Sequence, residues 1–212
     1  TYVALSRLRS IDGLYLSNPV TQKSIMVDRE ILKFSKESEK LRPTEEHLLQ
    51  AKISFQQQLI YSCFSFFQIK DLLKRYLFLL NSSTVLKSMS ESEMNNMQLA
   101  AEKDIFTVGE NFKAQLSTMF GSSSPPEGDH QISERLKKAS TYFSEKIDKI
   151  LLDNLKKLSA DTDNKEQKKR LKHFRKLLDE QLAEKYGVIS SLAKGFSSSE
   201  YFKAISVAIT EQ

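Results

Sequence analysis

Leu59-Ile-Tyr-Ser-Cys-Phe-Ser-Phe-Phe-Gln-Ile-Lys-Asp-Leu-Leu-Lys-Arg-Tyr-Leu-Phe-Leu-Leu80 is the most apolar run in this chain. Gln68, Lys70, Asp71, Lys74 and Arg75 interrupt it, so it lacks the roughly 18 uncharged residues that a membrane span needs. The run belongs to a longer recurrence. Leu48, Phe55, Leu59, Phe66, Leu73 and Leu80 follow one another at steps of seven and four, the spacing of one helical face. Ile53, Ile60, Phe64, Phe67, Ile69, Leu72, Tyr76 and Leu77 widen that face. A helix apolar on several sides sits at the centre of a bundle. The expected element is a long helical region that starts at Thr44, behind Pro43, and ends at Asn81-Ser82-Ser83. In it Phe64, Phe66 and Phe67 are core residues rather than stacking platforms, and Cys63 is a buried small hydrophobe.

Outward from this stretch, helical signals continue. Ser90-Glu-Ser-Glu93 is a capping box, ahead of Met94, Met97, Ala101, Ile105, Val108, Phe112, Leu116 and Phe120 at helical spacing. Met89, Met94 and Met97 read as packing residues. Gly121 to Gly128, with three serines and two prolines, is the clearest loop. Asp129 or Ser133 starts a helix carrying Ile132, Leu136, Ala139, Phe143, Ile147, Ile150 and Leu151. Asp161 to Asn164 is a further break. Asp163 with Glu166 is expected to cap a helix bearing Leu171, Phe174, Leu178 and Leu182, with Gly187 and Gly195 punctuating its end. Ser197 to Glu200 is a second capping box, leading Tyr201, Phe202, Ile205 and Ile209. The fold expected is mainly α: a bundle of about six helices after residue 40, preceded by a small α/β segment.

Composition agrees. Six glycines and four prolines in 212 residues are too few for a strand- and turn-rich protein, and 40% hydrophobic residues can fill a core. One cysteine excludes an internal disulfide and suits a reducing, cytoplasmic setting. His47, His130 and His173 lie far apart, so no metal-ligand spacing exists in the sequence. A net charge of +5 is compatible with nucleic acid without establishing it.

Before residue 37 the pattern is different. Residues 1–10 read as a short helix, Asp12-Gly13 as a turn, Leu14-Tyr-Leu16 and Ser24-Ile-Met-Val27 as short strands, and Asp28 as the cap of a helix through Ile31, Leu32 and Phe34. Tyr2-Val-Ala-Leu-Ser-Arg7-Leu-Arg9 resembles the last ATPase motif of superfamily 1 DNA helicases. Ser10-Ile-Asp-Gly-Leu-Tyr-Leu16 and Lys23-Ser-Ile-Met-Val-Asp-Arg-Glu-Ile-Leu-Lys-Phe34 resemble the turn, closing strand and final helix that follow it. By pattern the resemblance is to the RecD-like, petite-integration-frequency branch. It covers residues 1–36 and none of 37–212, which resemble no nameable family.

The resemblance implies that residues 1–36 are the C-terminal end of a second motor domain, with an all-helical accessory domain over 37–212. Arg7 is then the arginine finger, the catalytic and nucleotide-contacting residue; a guanidinium suits that role because it stays charged and engages two γ-phosphate oxygens. Arg9 is expected to make a structural ion pair. The sequence contains no Gly-x-x-x-x-Gly-Lys-Ser/Thr loop, so this stretch alone is expected not to hydrolyse ATP. The chain opens in mid-motif without Met, as a piece of a longer protein does. ATP and magnesium are the cofactors expected of the intact enzyme, with none held by this chain, and DNA is its expected partner.

Within the helical remainder, Lys165, Lys168, Lys169, Lys172 and Lys176 fall on one helical face, flanked by Arg170 and Arg175 and opposed by Leu171, Phe174 and Leu178. Such a stripe suits phosphate contacts to DNA. The same spacing is that of a solvated face, the commoner arrangement. Two roles stay open for this region: DNA contact, or a protein-interaction module with no nucleic-acid role. No membrane role is expected.

Overall fold

The computed structural model describes residues 10, 12, 14–19, 29–40, 42–81, 85–121 and 124–210. The chain divides into two compact units, Thr1–Glu46 and His47–Gln212. In the first, α1 (Arg29–Lys40) carries exposed Ile31, Leu32 and Phe34. Leu14, Tyr15 and Leu16, expected as a strand, have no regular structure and are solvent-exposed. An isolated three-residue apolar segment gains a strand only from a pairing partner, and none is present among the described residues. Residues 1–9 of the helix expected at the start of the chain, the strand at 24–27 and the Asp28 cap lie outside the described residues.

The second unit is helical, as its periodicity requires. Six helices begin after residue 44 among the described residues: α2 (Glu45–Cys63), α3 (Phe67–Leu80), α4 (91–119), α5 (130–157), α6 (Lys165–Ser191) and α7 (Ser198–Thr210). Helix α6 packs against α3, α5 and α7, and α4 packs against α3 and α5. A two-stranded antiparallel ribbon, β1 (Leu86–Lys87) with β2 (Ala160–Asp161), pairs Leu86 with Asp161 and Lys87 with Ala160. Residues this short give no strand signal of their own.

The single long helix expected from Thr44 to Leu80 is broken between α2 and α3. Phe64 N–H donates to the Tyr61 carbonyl (3.2 Å) and Ser65 N–H to the Ser62 carbonyl (3.3 Å), closing α2 with tight turns. The break turns Phe64 and Phe66 together into the core, where Phe64 meets Phe112 and Phe143 at centroid distances of 4.7 and 5.3 Å. Gly109 of α4 makes this possible: a Cβ there would lie 2.8 Å from the Phe66 ring and 3.0 Å from the Phe64 carbonyl. The C-terminal end of α2 is capped from α6, where Lys185 Nζ donates to the Ser62 carbonyl (2.6 Å). Burial holds the Lys185 ammonium below its ordinary value and pushes the Cys63 thiol up to about 12.

The break changes which residues are core. Leu48 (59% exposed), Phe55 (47%) and Phe67 (76%) face solvent, although the heptad-like seam places them inside. Helix α2 instead buries Ile53, Gln56, Ile60 and Cys63. Gln56 is satisfied on both ends of its amide. Nε2 donates to Glu127 (2.6 Å) and Ser198 Oγ (3.3 Å), and Oε1 accepts from Glu127 N–H (3.2 Å). One buried amide thus ties α2 to the 125–128 turn and to the start of α7, meeting the requirement that buried polar groups be bonded.

Other local signals hold. Ser90 and Glu93 form both bonds of the capping box. The Asp129 carboxylate accepts from Gln131 and Ile132 N–H. Met94, Met97, Ile105, Leu116, Ile132, Leu136, Phe143, Ile147, Leu178 and Leu182 are all buried, each worth about 1.5–3 kcal/mol relative to exposure. The cap of α6 is Asn164, not Asp163: its side chain accepts from Gln167 N–H. Gly187 lies inside α6, whereas Gly195, at φ +99°, is a true stop.

Helices α4 and α5 each contain a π-helical turn, Glu102–Phe106 and Ile147–Leu152. The extra residue in the first lets the neighbours Ile105 and Phe106 both face inward. Tyr142 of α5 donates to the Asp104 carbonyl in that turn (3.0 Å), and Lys146 pairs with the Asp104 carboxylate (2.9 Å).

Candidate nucleic-acid interface

The basic stripe is the N-terminal half of α6. It is set in place by the segment before it. Thr162 is buried, Asn164 caps the helix, and Asp161 is held in the ribbon with β1. Lys165, Lys168, Lys169, Lys172 and Lys176 are all exposed, so the structure brings the predicted lysines to one face.

They divide into two kinds. Lys168 Nζ sits 2.8 Å from Asp161, and Lys176 Nζ 3.5 Å from Glu180. The hydrogen bond from Lys168 holds the Asp161 carboxyl below its usual range, helped by Thr162 N–H, and Asp161 in turn raises Lys168. Lys165, Lys169 and Lys172 have no ion pair among the described residues. Lys172 lies close enough to Asp161 to reinforce its ionisation without contacting it.

The flanking arginines also differ. Arg175 is structural: Nε donates to both oxygens of Asp179 (2.9 and 2.8 Å), and Nη1 donates to the Leu155 carbonyl in the last turn of α5 (2.8 Å). Arg170 is exposed, with no acidic partner among the described residues.

Two grooves border the helix. One, of about 630 Å³, lies between α6 and the 158–161 segment; Asp161 lies on one wall, and Lys168, Lys172, Arg175, Lys176, Asp179 and Glu180 of α6 line the other. Its charges are largely paired. The other, of about 530 Å³, lies between α3 and α6 and is lined by Lys74, Arg75, Phe78, Arg170 and Phe174, with Asp71 as its single acid. Sequence reasoning missed this second groove. Its residues come from α3, α4 and α6, and no local pattern joins them.

Arg7 lies outside the described residues. Among the described residues there is no cluster of three His, Cys, Asp or Glu side chains suited to a metal ion, and no helix long and apolar enough to cross a membrane.

No curated protein and no solved structure matches the chain. A family model does, over residues 47–212, the helical stretch in which no resemblance was legible. That match covers most of the chain and begins at the residue where the second compact unit begins, and by it the chain belongs to the DNA helicase, middle domain family.

Proposed function

We propose that this chain joins the end of a helicase motor domain to a helical domain that holds DNA by its phosphates, within an ATP-dependent DNA helicase of the RecD-like, petite-integration-frequency branch. The observation that carries the DNA-holding role is the exposed face of α6, where Lys165, Lys169 and Lys172 stand without ion pairs among the described residues. Unpaired lysines on one helical face can displace counterions from a DNA backbone. Family membership supports the helicase part of this reading. Arg7 acts in this reading as the arginine finger, and ATP and magnesium are bound by the remainder of the motor.

The test is a salt titration of the chain's affinity for single-stranded and forked DNA. A steep fall of log K with log salt is expected, with a slope of about −0.7 to −0.9 per phosphate contact. Absence of binding to either DNA at low salt overturns the reading in favour of a protein-interaction module. In the intact enzyme, Arg7→Ala is expected to abolish ATP turnover while sparing ATP binding; normal turnover removes the finger assignment.

A further inference from the structure

We infer that the groove between α3 and α6 is a stacking site for an unpaired base of single-stranded DNA, with Phe78 as its platform. This rests on the DNA-holding role of α6 proposed above and adds a preference for single strands. A lone exposed phenylalanine is ordinary, and Phe67, 76% exposed, lines neither groove beside α6. Phe78 differs. It is 79% exposed, yet it lines a 530 Å³ groove together with half-buried Phe174. That volume lies within the range of small-ligand pockets, roughly 300–1,000 Å³.

The charge around the two rings fits a nucleotide. Lys74 and Arg170 are exposed and have no acidic partner among the described residues, while Asp71 is already engaged by Arg75 at 2.8 Å. Gln98 of α4 brings an amide with both a donor and an acceptor to the edge of the groove. Arg170 directly follows Lys169, one step of about 100° around the helix from the lysine stripe. A strand whose phosphates follow Lys165, Lys169 and Arg170 therefore passes the mouth of the groove. Aromatic rings beside a cationic track are the combination that binds single strands without regard to sequence, because every base has a stacking face. A duplex keeps its bases stacked inside and gains nothing from Phe78.

The experiment compares the 212-residue chain with Phe78→Ala and Phe78→Trp, using an oligothymidylate strand and a blunt duplex of equal length. Phe78→Ala is expected to weaken oligothymidylate binding about tenfold, with duplex affinity and salt slope unchanged. Phe78→Trp is expected to retain single-strand affinity. It would also introduce the only tryptophan of the chain, whose fluorescence the bound strand should quench. Unchanged oligothymidylate affinity in Phe78→Ala, or equal losses on both DNAs, overturns the stacking site and leaves the phosphate-holding role standing. Failure of the unsubstituted chain to bind either DNA overturns both.

Discussion

The two sides of α6 carry similar cations and use them differently. On the side facing the 158–161 segment, Lys168, Arg175 and Lys176 are engaged by Asp161, Asp179 and Glu180, and Arg175 also seals the end of α5. On the outer face and toward α3, Lys165, Lys169 and Arg170 form no ion pair among the described residues. A charge already paired must give up its partner before it can hold a phosphate, so the same residue types are scaffold on one side and available to ligand on the other. Counting lysines in a stripe therefore overstates a DNA footprint.

The largest effect should come from the unpaired set. The triple variant Lys165→Glu, Lys169→Glu, Lys172→Glu is expected to lose roughly one to two orders of magnitude in DNA affinity at low salt, with the salt slope flatter by about 2–3. Fluorescence anisotropy measures it, and an unchanged slope would show that these lysines touch no phosphate. Next comes Arg175→Ala, which strips Asp179 of its partner and the Leu155 carbonyl of its donor. A loss of about 2 kcal/mol in urea unfolding is expected, with little change in salt slope.

Asp161→Asn tests the distinction from the other direction. It releases Lys168, and DNA affinity should rise, by roughly threefold if one phosphate contact is gained; no rise would mean that Lys168 is out of reach of DNA. The same substitution has an acid signature. Because Lys168 holds the Asp161 carboxyl below the ordinary 3.8, the pair stabilises the fold above that value. That contribution is lost as pH falls through the depressed value, so the variant should show a shallower acid limb below 3.8. The smallest effect is a null. Cys63, fully buried with its thiol pushed up to about 12, should not react with a thiol reagent in the native chain near neutral pH. Its protection in each α6 variant shows that lost DNA binding is not lost folding, and fast labelling in the unsubstituted chain would contradict the packing of the α2–α3 break.

What was legible in the sequence was local. The Ser90–Glu93 box and the Asp129 cap span three or four residues and formed as expected. The apolar faces of α4, α5 and α6 recur at helical spacing, which α4 and α5 interrupt only at their π-helical turns. What escaped was set by distant residues. Phe66 and Phe67 are neighbours with the same side chain, and one is core while the other faces water. Gly109 and Lys185, 43 and 123 positions from the Phe66 and Ser62 they meet, decide where α2 stops. Half of the candidate site was readable: the lysine face, but neither which lysines are paired nor the groove with Phe78.

The sequence by itself determined the helical class, most helix starts and the basic face, because each depends on spacing along one chain segment. It also carried in residues 1–10 a resemblance to a helicase motif. Tertiary structure alone decided the break at 63–66, the burial of Gln56, the pairing of Lys168 with Asp161 and the groove that Phe78 and Arg170 share. Those depend on which helices are packed side by side, and burial and ion pairing are properties of neighbours in space.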